Sequence, residues 1–225
     1  MEIPSEAPVM TLPCATLFPQ ALLPLYIFEP RYRRMLADTL AGHRMFVVAM
    51  QRPGCTRELP ASVAGLGLIR ACVSNRDGTS HLILQGITRV ELVGASRYKP
   101  YRVDRLQPLQ SSPRDSVRID ALLAKVRDLV VERLQLGASL PVPPETSGKS
   151  KRPPPALPVK EMVAYLDRMS DPEQVADLVS CALLPEAEER QSILETVDLE
   201  PRLRCLIRFL LAEIDRRRNE PKTQP

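Results

Sequence analysis

Between residues 9 and 109, apolar positions recur every second residue or in short continuous runs separated by turn residues, a pattern that predicts strands. The run Met45-Phe46-Val47-Val48-Ala49-Met50 is apolar at every position, as a strand buried on both faces must be, and is expected at the centre of a barrel. Leu22 to Phe28 forms a second run, around Pro24. Proline cannot donate to a ladder, so this strand should be an edge strand or bulge there. Asn75-Arg76-Asp77-Gly78 supplies the positive φ of a tight turn and should join Leu66–Val73 to Leu82–Val93 as a hairpin. On the second arm, strict alternation places Leu82, Leu84, Thr88, Val90 and Leu92 on a core face and Gln85, Arg89 and Glu91 on a wet one. Gly86 interrupts the pattern and marks a bulge or a close backbone approach.

One short helix interrupts the strands. Pro30 suits its first position, Tyr32, Met35, Leu36, Thr39 and Leu40 form its apolar stripe, and Gly42 its end. Beyond residue 112 the apolar period changes from 2 to 3.6, with Leu122, Val126, Leu129, Val130 and Leu134 in one stripe behind Ser112-Pro113. Residues 137–158, with Pro141, Pro143, Pro144, Pro153, Pro154, Pro155 and Pro158, are expected to be an exposed loop held extended. Asp171-Pro172-Glu173-Gln174 carries an N-cap acceptor, a first-turn proline and a capping-box glutamine, so a helix should start there. Val175, Leu178, Val179 and Leu183 give its stripe, Ile193 and Leu194 belong to the next helix, and Leu199, Leu203, Leu206, Leu210 and Ile214 line the last. The expected organisation is a β unit over residues 1–111, a helical bundle over 112–220 with the proline-rich insertion at 137–158, and a disordered tail at 221–225.

Composition narrows the function classes. With 44% hydrophobic and 26% charged residues in 225, the chain can bury a core. The net charge of +4, from 31 basic and 27 acidic side chains mixed along the chain, does not single out a polyanion partner. The run Arg216-Arg217-Arg218 reads as a helix C-terminus rather than a phosphate reader. Five cysteines without a C-x-x-C pair suggest neither a disulfide framework nor a zinc site. The first residues lack a signal-peptide pattern and no apolar stretch reaches membrane-spanning length, so a cytoplasmic chain with no membrane partner is expected.

Specific strings resemble a known family. Leu17-Phe18-Pro19 and Leu23-Pro24-Leu25-Tyr26-Ile27-Phe28-Glu29-Pro30-Arg31-Tyr32 resemble the opening of the Lon protease N-terminal domain. Gly65-Leu66-Gly67-Leu68-Ile69, the Asp77-Gly78 turn and Gly86-Ile87-Thr88-Arg89 resemble its central hairpin, in order. Asp171 to Asp177, Gln191 to Glu195 and Arg202-Leu203 resemble its helical region. The resemblance runs from about residue 9 to 214 and implies an α+β fold, a PUA-like β pseudo-barrel followed by a C-terminal α-helical bundle. Gln20 departs from the glycine the family often has after Phe-Pro, and the proline-rich insertion is atypical. In a full Lon protease, ATPase and peptidase modules would follow where this chain ends.

No catalytic machinery is recognisable. Gly148-Lys149-Ser150 has Pro143 where a phosphate loop needs its first glycine, so no nucleotide or other cofactor is expected. His43 and His81 sit in no nucleophile motif, and they fit a helix-end and a hairpin-flanking role. Asp171 and Glu173 are explained as caps, and no metal site is expected. The resemblance implies a non-catalytic module that binds polypeptide substrates and serves protein quality control beside an ATP-dependent protease. Tyr26, Phe28 and Tyr32 carry two readings: strand end and helix anchor, or the lining of an apolar groove for unfolded segments. The alternative, a PUA-like RNA-binding protein, wants stacking aromatics beside a basic patch, against 4 Phe, 5 Tyr and no Trp in this chain.

Overall fold

The period-2 runs become strands at Glu6–Leu12 (β1), Leu22–Ile27 (β2), Met45–Met50 (β3), Val63–Ser74 (β4), Ser80–Arg97 (β5) and Arg102–Pro108 (β6), with helix Pro30–Ala41 (α1) between β2 and β3. The computed structural model describes residues 2–55, 58–112, 116–136, 164–166 and 168–219. The proline-rich stretch 137–158, Gly148-Lys149-Ser150 and the tail 221–225 fall outside the described residues. The chain divides into two compact units, residues 1–110 and 111–225.

In the first unit the strand order is β2-β5-β4-β3-β1-β6, and β6 pairs back onto β5. Five strands therefore close into a ring and β2 is left as an outer strand on β5, the edge position its proline requires. β1 and β3 run parallel, while the other paired strands are antiparallel. The 18 residues of β5 make this closure possible, because its first part pairs with β2 and its last part with β6. The Asp77-Gly78 turn joins β4 to β5, with Gly78 at φ +82°.

All six residues of β3 are buried because the strand feeds two cores. Met45, Val47 and Ala49 join Ala7, Val9, Ala64, Leu66, Val90 and Leu106, a set drawn from the five ring strands that fills the ring interior. Phe46 and Val48 point the other way, to Tyr32, Met35 and Leu36 of α1 and to Ile69, Leu82 and Leu84. The expected single core face of β5 is corrected by this division. Leu66 pairs with Thr88 and Gly67 with Gly86, which leaves Ile87 as an extra residue. One inserted residue inverts the side-chain parity, so Leu82 and Leu84 pack under α1 while Val90 enters the ring. Arg89, expected on the wet face, is only 4% exposed, and its guanidinium lies 5.9 Å from the centre of the Phe18 ring.

The glycines of β4 and β5 make room for the Leu17-Phe18 backbone. A Cβ at Gly65 would stand 2.0 Å from the Leu17 carbonyl oxygen, and one at Gly86 1.9 Å from that of Phe18. Gln20 N–H then donates to the Gly86 carbonyl at 2.8 Å, and Gly86 N–H donates to the Ala21 carbonyl at 2.9 Å. At the start of α1, Glu29 occupies the N-cap position but its side chain makes no capping bond. Its carboxylate accepts from Arg31 Nε at 2.9 Å.

The second unit contains α2 (Ser116–Gln135), α3 (Pro172–Leu183), α4 (Ala187–Glu195) and α5 (Leu199–Asn219). The buried stripe of α2 is Ile119, Leu123, Val126, Leu129, Val130 and Leu134, with Leu122 only half-buried, against the expectation that Leu122 opens the stripe. Ile119 sets the phase, and 3.6-residue spacing from it reaches Leu123 and Val126. Arg216, Arg217 and Arg218 end α5 and meet Glu189, Glu213 and Glu132, so this basic run is taken up inside its own unit.

Helix α3 begins as its sequence requires. Asp171 Oδ1 accepts from Glu173 N–H at 3.0 Å, and Pro172 fills the first turn. Asp171→Ala is expected to cost about 1 kcal/mol of stability in urea unfolding followed by circular dichroism, and Asp171→Ser to restore most of it.

Candidate functional site

The edge strand β2 alternates. Leu23 and Leu25 pack against the core under α1, so Leu22, Pro24 and Tyr26 project from the opposite side. Pairing extends that side into an apolar face: Tyr26 lies beside His81 and His81 beside Val73, while Pro24 lies beside Ile83 and Ile83 beside Ala71. Helix α1 packs on the other side of the sheet, and Leu22, Phe28 and Val73 are 63%, 57% and 65% exposed. The Tyr26 ring is held between two neighbours, with Phe28 stacked at 5.7 Å and His81 at 4.7 Å between centroids. Rings fixed this way lose little freedom when a ligand covers them. Contiguous exposed apolar surface of this kind marks an interaction site more strongly than scattered single side chains do. Pro24 offers no N–H to an added strand, so the face is better suited to a ligand than the β2 edge.

Of the three aromatic residues singled out in the sequence, the fold brings Tyr26 and Phe28 together and separates Tyr32 from them. Tyr32 is 5% exposed and belongs to the core under α1. Its hydroxyl donates to Glu58 Oε1 at 2.8 Å and lies 3.3 Å from both the N–H and the carbonyl oxygen of Thr11. Burial, reinforced by the Glu58 carboxylate, pushes its phenol pKa well above the ordinary tyrosine value. Arg31 bridges Glu29 and Glu58 and covers the Tyr32 ring at 4.4 Å. Tyr32 thus anchors α1 to β1 and faces a separate cleft of about 450 Å³ shared with Arg31, Tyr98, Tyr101 and Arg102. Within that cleft Arg31 is engaged by Glu29 and Glu58, and Arg102 by Asp104.

His43 and His81 are far apart in role. His43 Nδ1 accepts from Met45 N–H at 3.1 Å and braces the turn after α1, with partial burial lowering its pKa. His81 is a wall of the aromatic stack. Among the described residues no group of three or more His, Cys, Asp or Glu side chains could hold a metal ion. No helix among them is long and apolar enough to cross a membrane.

Leu22, Val73, His81 and Ile83 were not foreseen as parts of the site. Their signal was present only as positions on the outer parity of β2, β4 and β5, and their union depends on strand pairing. Residues 6–212 match the model of the ATP-dependent protease La (LON) substrate-binding domain. The chain belongs to that family.

Its relatives include the Lon protease of Dictyoglomus thermophilum, 22% identical over 217 residues, with 95% of this chain and 25% of the relative covered. The Lon protease of Phenylobacterium zucineum is 26% identical over 222 residues, with 95% of this chain and 25% of the relative covered. The chain therefore spans about a quarter of the length of these curated relatives. Among solved structures, the N-terminal domain of Mycobacterium avium complex Lon protease superposes with a TM-score of 0.70 at 18% identity, covering 92% of this chain and 98% of that one. The Lon N-terminal domain protein of Xanthomonas campestris gives a TM-score of 0.55 at 19% identity, with 91% and 98% covered. These establish an α+β fold with C-terminal helices, and the match to a substrate-binding domain makes this chain a substrate-recognition module. The departure at Gln20 also has a local account: its φ is +65°, a conformation that favours glycine.

Proposed function

We propose that this chain is a non-catalytic module that holds exposed apolar segments of unfolded polypeptides on the β2–β5–β4 face, and that it acts as a quality-control adaptor for an ATP-dependent protease in the cytoplasm. The observation that carries the reading is the uncovered aromatic stack of Phe28, Tyr26 and His81, continued by Leu22, Ile83 and Val73. Such a face binds by burying apolar area, with little directional bonding, which favours modest affinity and broad specificity. In this reading Tyr32 contributes by fixing the corner between β2 and α1, and Tyr26 and Phe28 make the contact.

The test is titration of a fluorescently labelled, unstructured apolar peptide with the intact chain. Saturable binding is expected in the micromolar range. Tyr26→Ala combined with Phe28→Ala should weaken it by about tenfold or more, without a change in thermal unfolding midpoint that would signal lost structure. Tyr32→Phe should leave the Kd within about twofold, since it removes only a buried hydroxyl. Absence of binding by the native chain at high micromolar concentration would overturn the proposal.

A further inference from the structure

At the Leu22 end of the apolar face stands a cation held by a chain of amides. Arg70 is the extra residue of β4, left over where Ile69 pairs with Leu84 and Ala71 with Ile83. Its Nε donates to Gln85 Oε1, and Gln85 Nε2 donates to Gln20 Oε1 at 3.0 Å. Gln85 is the cross-strand partner of Leu22, so the three polar side chains border the last row of the face. Arg70 is exposed, and none of the ion pairs among the described residues gives it a carboxylate.

Gln20 supplies a second and independent observation. Its φ of +65° is strained for a residue with a Cβ, and glycine would sit there without cost. A strained residue persists where its side chain does something glycine cannot. Here it buttresses Gln85, which in turn orients the guanidinium. A guanidinium presented beside apolar surface with donors left over is suited to a carboxylate.

We infer that Arg70, positioned by Gln85 and Gln20, makes this face select apolar polypeptide segments that carry an aspartate or glutamate side chain next to the apolar run. The inference rests on the proposed polypeptide-binding role and names the class of segment preferred. Arg70 is the contacting group, while Gln20 and Gln85 are positioning residues.

The experiment compares two acetylated and amidated peptides with the same apolar run, one carrying glutamate beside it and one carrying glutamine, by fluorescence anisotropy with the intact chain. The glutamate peptide is expected to bind about fivefold more tightly at low salt, and the gap should shrink as salt is raised. Arg70→Gln should abolish the preference, so that the two peptides bind alike. Gln20→Gly should reduce the preference and raise the thermal midpoint, an opposition that a purely structural role for Gln20 would not produce. Equal binding of the two peptides by the native chain, or a preference that survives Arg70→Gln, would overturn the inference and leave the polypeptide-binding role intact. Failure of both peptides to bind would sink the two together.

Discussion

Gly86→Ala is expected to destabilise the β unit by about 3 kcal/mol or more, or to prevent its folding, read as loss of the cooperative urea transition or a large drop in its midpoint. The added Cβ would lie 1.9 Å from the Phe18 carbonyl oxygen, a distance no contact tolerates. The obstruction is backbone, which cannot rotate aside as a flexible side-chain end could. Moving it would also break the reciprocal bonds by which Gln20 N–H reaches Gly86 and Gly86 N–H reaches Ala21. Gly65→Ala should behave alike, with its Cβ 2.0 Å from the Leu17 carbonyl oxygen. Gly42→Ala is the control: its nearest neighbour would be the Asp38 carbonyl oxygen at 3.5 Å, an ordinary contact, and the cost should stay within about 1 kcal/mol. Similar losses at Gly42 and Gly86 would show that the strand glycines are not there to admit the Leu17-Phe18 segment.

Arg202→Met should cost the helical unit about 3–5 kcal/mol, measured by denaturant unfolding. Arg202 is 1% exposed, donates through Nε to the Thr196 carbonyl at 2.8 Å and through Nη2 to the Val197 carbonyl, and faces Asp177 Oδ1 at 3.4 Å. Those carbonyls lie in the connection between α4 and α5, so one side chain ties the bend between two helices to α3. Its removal leaves Asp177, 2% exposed, without its buried cation. Adding Asp177→Asn to Arg202→Met should recover part of the loss, since a neutral amide is less costly to bury than a carboxylate that has lost the Arg202 cation. If the single and double variants are equally unstable, packing and carbonyl bonds outweigh the charge pair.

Arg202-Leu203 illustrates how the sequence and the fold divide the information. Leu203 was legible as one of five apolar positions at helical spacing, and it is fully buried. Arg202 beside it was noticeable only as part of a family string, because its burial depends on carbonyls and an aspartate from other segments. The candidate site shows the same division. Tyr26 and Phe28 were legible as aromatic residues on an edge strand marked by Pro24, whereas Tyr32, four residues along, turns inward because α1 begins at Pro30 and rotates it onto the core. Arg70 carried no signal at all, since its place follows from a register shift between two strands.

Local rules were enough for the element types, the hairpin turn at Asp77-Gly78, the edge position of β2, the start of α3 at Asp171 and the change from strands to helices. Each depends on the period of apolar residues or on the backbone limits of glycine and proline, which act within a few residues of chain. Tertiary structure alone decided that β5 serves two cores, that Arg89 and Arg202 are buried, and that Tyr26, Phe28, His81 and Val73 form one face. The extra residue at Ile87 reverses which side chains point inward, and a parity reversed by one residue is invisible until the partner strand fixes the register.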